Sequence, residues 1–532
     1  MKKMMTAVAL LGLSLPVAAQ AMEFQTPGSL GIGRAGVART TDSYATFINP
    51  GGLAFHEKGF SMNLGGGVGV AINATLADNV DKMSKLDTSK LSYDSTGLTA
   101  AQSATLAAES TAQAVQALAI IDDVKKNKGE LTVSVDAALA FQIRNFGVGV
   151  INSTELGAGI GNVDTNNLRT GDTTSAGGAT PDAISLANVQ QLVLDLNSGV
   201  AVPVSADPAT PDIANSQSYF SQTQWEAVVQ KIKQATGVGV NEAAVLANKV
   251  GSQLGAPGTQ LAGLTTDQVV SGLSLAADSF SGGALDNNNT TVDLVGISLF
   301  EVPIAYGHKF DFGSKGKLGV GAAAKVMRGT VYFQEALLFK DFKDGSSDFT
   351  KKVKDSKADS TSFGIDLGAL YRLEDVKYIG PVNVGLALKN LNSPKFDGPK
   401  DPTTGRTETV KVEPQARLGV GLDPLSWLSI AADMDLTKNK TVLPGRDSQI
   451  LGGGLEAHFD HWYALWFALR LGAYKNIGES GSKPVITGGF SLGPQYLRFD
   501  LNAAVATETG KYDNKSYPNE AKVEFGLSTA FF

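Results

Sequence analysis

Cysteine is absent from all 532 residues, so no disulfide, thiol or thiolate–metal chemistry is available and the fold is held non-covalently. Histidine is nearly absent as well: His56, His308, His458 and His461 are the whole set. Of these only His458 and His461 fall close together, in a predicted hairpin turn (His458-Phe459-Asp460-His461) whose extended backbone need not converge them, and zinc wants three or four ligands. No Ser-His-Asp setting and no phosphate loop is present, so the chain does not read as an enzyme and implies no cofactor or metal. A basic excess is missing too. The 45 Lys and Arg residues face 52 Asp and Glu residues, which argues against a nucleic-acid partner. Beyond the N-terminus no run approaches the ~20 apolar residues of a spanning helix, so any membrane residence must be as a barrel.

The N-terminus itself reads as an export signal. Lys2 and Lys3 precede an apolar stretch from Ala7 to Ala18 and a small-x-small site, Ala19-Gln20-Ala21, so residues 1–21 are expected to be a signal peptide. Immediately after it, GIGRAGVARTTDSYATFINPGG at 31–52 carries Gly31, Gly33 and Gly36 in G-x-G-x-x-G spacing. A dinucleotide site would need a buried strand before these glycines and an apolar-faced helix after them. The preceding EFQTPGSL contains Pro27 and Gly28, and the following stretch reaches Thr40, Thr41, Asp42 and Ser43 within two turns. The glycines therefore serve something else.

What the chain has in abundance is alternation. In WYALWFALRLGAY at 462–474, Leu465, Phe467, Leu469 and Leu471 share one face, while Trp462, Trp466, Ala468 and Arg470 share the other. Similar segments at 59–70, 131–143, 146–158, 292–308, 316–334, 361–373, 380–391, 413–422, 426–436, 448–458, 462–474, 484–493, 496–507 and 521–532 predict about fourteen strands. Their connections are sorted by length. Arg144-Asn145, DFGSKGK, EDVKYIG, DPLS, the Asp460-His461 pair and GPQ are tight, and the intervening ones, above all 71–130 and 159–291, are long. Short periplasmic turns alternating with longer external loops, on an even strand count, are the pattern of a bacterial outer-membrane barrel rather than of a soluble sandwich. The predicted fold class is thus an all-β membrane barrel, residues 59–532, of about fourteen antiparallel strands with an N-terminal plug at 22–58 and helical extracellular insertions. The insertions carry helical spacing at 99–127, 181–195, 222–236, 240–254 and 265–279.

Alternation also assigns faces. Gly364, Gly368, Gly419, Gly421, Gly452 and Gly454 fall on lumenal positions, as does a charge ladder of Asp366, Lys389, Arg417, Asp433, Asp435, Glu456, Arg470, Arg498 and Asp500. Asp433 and Asp435 are expected to find Arg417 or Arg470 as partners. Tyr371, Trp427, Trp462 and Tyr496 lie near strand ends as interface-girdle members, with Trp427 and Trp462 facing inward by parity. Phe532 falls one residue beyond the outward register of Val523, Phe525, Leu527 and Phe531, so it is expected to point inward or lie in the interface.

The glycine-rich start and INPGG at 48–52 resemble the opening of FadL-like outer-membrane transporters, in which a G-x-G-x-A stretch and an N-P-A motif form a hatch inside the barrel. Here the motif is Asn49-Pro50-Gly51, with glycine where that family has alanine. LKNLNSPKF at 388–396, EPQARLGVGLDPLSWLSIAADMDLTKN at 413–439 and LRLGAYKNI at 469–477 are similar to the TraF-like barrels of the same superfamily. The resemblance implies a plug built on Gly31, Gly33, Gly36, Asn49, Pro50 and Gly51 within a passive channel for small hydrophobic ligands. Its partners would then be outer-membrane lipid and that ligand. The alternative it leaves open is an envelope protein of conjugative transfer or surface assembly, which binds a surface or secretion partner through its extracellular insertions.

Overall fold

The computed structural model of the chain describes residues 23–56, 59–73, 75, 76, 78, 79, 82, 117, 119–127, 129–161, 164 and 289–531, less 338–355, 378, 401–406, 442–446, 463, 464, 495, 513 and 514. Residues 1–21, Phe532, most of 99–127 and the helices expected at 181–195, 222–236, 240–254 and 265–279 lie outside this set. Within the first insertion, residues 119–126 are helical and bury Ile120, Ile121 and Val124.

Fourteen antiparallel strands close into one barrel. They are β1 (Phe60–Ile72), β2 (Glu130–Ile143), β3 (Phe146–Ile160), β4 (Thr291–Asp311), β5 (Lys317–Leu337), β6 (Lys357–Val376), β7 (Gly380–Lys389), β8 (Gln415–Leu425), β9 (Leu428–Asp435), β10 (Ile450–Trp462), β11 (Leu465–Asn476), β12 (Val485–Pro494), β13 (Leu497–Ala506) and β14 (Glu520–Phe531). Each pairs with its sequence neighbours, and β1 closes on β14 from Phe60↔Phe531 to Ala71↔Glu520. Closure leaves no strand edge, which the bilayer interior requires because it offers a backbone amide no alternative partner. The tight turns and both barrel ends share one rim, and the long connections share the other.

The outward faces are apolar in consecutive strands. Leu64, Val68 and Val70 on β1, Leu469 and Leu471 on β11, and Val523 and Phe525 on β14 are all exposed on the outer surface. At the rim of tight turns this belt ends in aromatics: Phe146 packs on Tyr306 at 4.8 Å between ring centroids, and His308 meets Phe310 edge-on at 4.7 Å.

Two sequence expectations are corrected here. Trp427 does not face the lumen. It occupies the β8–β9 turn, is 44% exposed, and stacks on outward Phe459 at 6.3 Å. A register shift between Leu422 and Leu425 resets the parity just before it. His458 and His461 do not form a turn either. Both belong to β10, which continues past a shift after Phe459 to pair Trp462 with Leu465.

Strands β4, β5 and β6 have 21, 21 and 20 residues, about twice the ~9–11 that cross a bilayer, and rise beyond it on the side of the long loops. Against their inner face folds a hairpin of Lys395–Lys400 and Thr407–Lys411. Its Phe396 and Val410 join Val412, Val295, Ile297, Leu299, Met327 and Val331 in an apolar cluster. This hairpin fills one side of the upper lumen. On the outer face, Leu471→Arg at mid-strand is expected to cost about 2–4 kcal/mol, the penalty of a charge in hydrocarbon, as measured by denaturant titration of the barrel in lipid vesicles.

Candidate functional site

Residues 23–56 thread the lumen and are held by side chains from most of the wall. The segment begins on the long-loop side, where Glu23 accepts from Ser448 Oγ, and leaves at the tight-turn rim where β1 starts. Its own polar groups bind to strands far away in sequence. Gly28 N and Leu30 N donate to the Glu524 carboxylate at 2.6 and 3.2 Å, and Gly33 N donates to Thr487 Oγ1, whose hydroxyl in turn donates to Gly31 O. Gly36 N and Val37 N both donate to Asp433 Oδ2 at 2.8 and 2.9 Å. Asn49 caps the short helical turn at Pro50–Phe55 by accepting from Gly51 N, and its amide donates to Val37 O and Ala369 O. Close approach depends on wall glycines. A Cβ on Gly368 would lie 2.1 Å from Asn49 Oδ1, and one on Gly452 would lie 2.0 Å from Gly33 O. Gly33 itself has φ +68° and a Cβ there would meet two carbonyl oxygens at 2.4 Å, so this position requires glycine twice over.

All nine residues of the expected charge ladder line the lumen, but they form separate clusters. Arg417 and Asp435, both 0% exposed, pair at 2.6 Å on adjacent strands β8 and β9. The Arg417 guanidinium also donates to Arg34 O and lies 4.7 Å from the Phe24 ring. Asp433 pairs with no arginine among the described residues, contrary to expectation; one of its oxygens, Oδ2, accepts from the N–H groups of Gly36 and Val37 instead. Glu456 bridges Arg39 of the N-terminal segment and Arg470 of β11, and Arg470 continues to Asp500 at 2.9 Å. Lys325 holds both Glu301 and Asp366, at 2.8 and 3.1 Å. Lys389 donates to Gln25 O and sits over the Phe24 ring, while Arg498 covers Trp466 at 4.0 Å. Burial pushes the Tyr44 hydroxyl of the N-terminal segment well above its ordinary value, and the Glu524 and Asp42 carboxylates push it further the same way.

Sequence reasoning missed Glu301, Glu23, Arg34 and Arg39. Glu301 was legible as the one acid in SLFEVPI, on the lumenal parity of its strand. Arg34 and Arg39 carried a weaker signal, as lone cations in a glycine-rich segment. No group of His, Asp or Glu residues among those described could hold a metal ion.

A closed antiparallel barrel with an apolar exterior, a polar interior and aromatics at its rim is an outer-membrane protein. Residues 46–435 match the family described as "F plasmid transfer operon, TraF, protein", and the chain belongs to that family. The sequence matches no curated protein. Among solved structures it is similar to the toluene transporter TbuX of Ralstonia pickettii, at 12% identity and TM-score 0.40, covering 96% of this chain and 99% of that one. It is similar also to a FadL homologue of Pseudomonas aeruginosa (10% identity, TM-score 0.41) and to the toluene transporter TodX of Pseudomonas putida (10%, 0.38), each over 97% of this chain and 99% of the other.

Removing one partner of a buried ion pair leaves the other desolvated and alone, which costs about 3–5 kcal/mol, whereas an apolar replacement of both is close to neutral. Asp435→Asn is therefore expected to destabilise the barrel strongly, and Arg417→Met with Asp435→Leu to recover most of the loss, as read from denaturant midpoints in vesicles.

Proposed function

We propose that the protein is a passive outer-membrane channel for small apolar compounds, closed in the arrangement above by residues 22–58 acting as a plug. The carrying observation is that the lumen is filled by the chain's own N-terminal segment, held at discrete polar points and by several small apolar clusters with the wall rather than by one continuous core. A fourteen-stranded wall encloses more space than its side chains fill. A segment anchored by hydrogen bonds and ion pairs can shift as a body.

The charged interior suits no apolar route straight through. A sideways exit is supported by the wall itself. The β3–β4 ladder stops between Val148↔Ile304 and Ile151↔Glu301, where Pro303 has no N–H to donate, and resumes in the same register. Phe47 of the N-terminal segment backs this gap, so close to Gly149 that a Cβ there would meet the ring at 2.5 Å. Movement of Phe47 would open an apolar path from lumen to bilayer. No energy source is required.

The competing reading is a non-transporting envelope protein whose insertions at 71–130 and 159–291 bind a surface or conjugation partner. The fully buried Arg417–Asp435 pair, which anchors Arg34 and Phe24, favours it.

One disulfide separates the two. Ala38 Cβ lies 3.8 Å from the Cβ position of Gly421, the spacing of a relaxed bridge, and the chain has no other cysteine to compete. In intact cells, Ala38→Cys with Gly421→Cys is expected to reduce naphthalene uptake to that of cells lacking the barrel when oxidised, and reductant is expected to restore it. Equal uptake in both redox states would rule out a moving plug. Uptake that never exceeds that of cells without the barrel would establish the non-transporting reading.

A further inference from the structure

Above the N-terminal segment, on the side of the long loops, lies a cavity of about 430 Å3 that opens outward. Eight carboxylates and three basic side chains line it, a strong imbalance in a space of this size. Two of the three cations are already engaged: Arg34 with Glu23 at 2.6 Å, and Lys522 with Asp136 at 2.9 Å. The third, Lys483, is exposed at the mouth.

One acid on this wall stands apart. Glu155, on β3, is only 9% exposed and lines the cavity, yet among the described residues neither hydrogen bond nor ion pair satisfies its carboxylate. Its register neighbours are Ser134 on β2 and Ile297 on β4, neither of them a cation. The charges that act on it are those of Glu23, Lys522 and Arg34, and both of these cations already hold another carboxylate. A buried carboxylate without a partner is costly, and its natural complement is a positive donor entering from the open side. The remaining lining is mixed. Ile450 and Val485 contribute apolar patches and Tyr474 an aromatic ring.

From this placement the geometry points to a binding site for a small organic cation, an ammonium group on a compact apolar body, with Glu155 as its charge partner. A metal ion is the poorer fit, because no three potential ligands among the described residues converge. The volume is that of an organic ligand pocket. This inference stands on the cavity alone and does not require that anything pass through the barrel.

The test is calorimetric titration of the full-length barrel in detergent with three probes of matched size: benzylammonium, benzyl alcohol and phenylacetate. Benzylammonium is expected to bind at least about tenfold more tightly than the other two, the effect of one charge-assisted hydrogen bond. Glu155→Gln, which keeps the side chain's shape, is expected to remove that preference, whereas Glu374→Gln, exposed at the opposite, tight-turn rim, is expected to change it less than about twofold. The wild-type selectivity needs no variant, so the test survives if Glu155→Gln fails to fold. Equal binding of all three probes, no binding of benzylammonium, or binding of calcium in its place would overturn the proposal. So would an unchanged preference in folded Glu155→Gln.

Discussion

Hydrocarbon offers a backbone amide no hydrogen-bond partner, and that constraint shapes the rest of the molecule. It obliges the strands to close, with β1 against β14, and it places apolar side chains on the outward positions that face the hydrocarbon. Alternation then sends the polar half of each strand inward. Once the wall is closed, those inward groups must be satisfied within a lumen too wide for them to reach across. The N-terminal segment supplies what they lack: amides for Asp433 and Glu524, a guanidinium for Glu456, and a carbonyl for Lys389. Filling the lumen and satisfying the wall are one event.

The lumen is uneven as a result. Toward the tight-turn rim the segment packs on wall glycines and leaves a smaller cavity of about 230 Å3. Toward the long loops, the hairpin at 395–411 seals one side with an apolar cluster, while the other side stays open as an acid-lined cavity. The interrupted ladder at Pro303 lies beside the segment, at Phe47 and Gly149. These features divide the interior into a packed base, a sealed flank and an open flank. The chemistry of each follows from which strands face it.

Most of the wall was legible from sequence because the bilayer imposes the same period on each strand. All fourteen expected segments correspond to barrel strands, and parity placed Asp366, Arg417, Asp435 and Arg470 on the inner face. What parity cannot supply is height and partner. It did not distinguish Asp433, which accepts amides from residues 36 and 37, from Asp435, which takes Arg417. It failed at Trp427 because a register shift inverts the parity locally at the turn, while Asp433 and Asp435 beyond it keep the inward face. It gave no hint that the 395–411 hairpin folds inward, since that depends on β4, β5 and β6 outgrowing the bilayer.

The central claim is that residues 23–56 are an integral part of the barrel interior, and amide hydrogen exchange tests it most directly. In the native barrel in detergent, the amides of Gly28, Leu30, Gly33, Gly36 and Val37, which donate to Glu524, Thr487 and Asp433, are expected to exchange as slowly as those of β11 and β12. Exchange of this segment at the rate of exposed loop amides, with the wall still protected, would contradict the account.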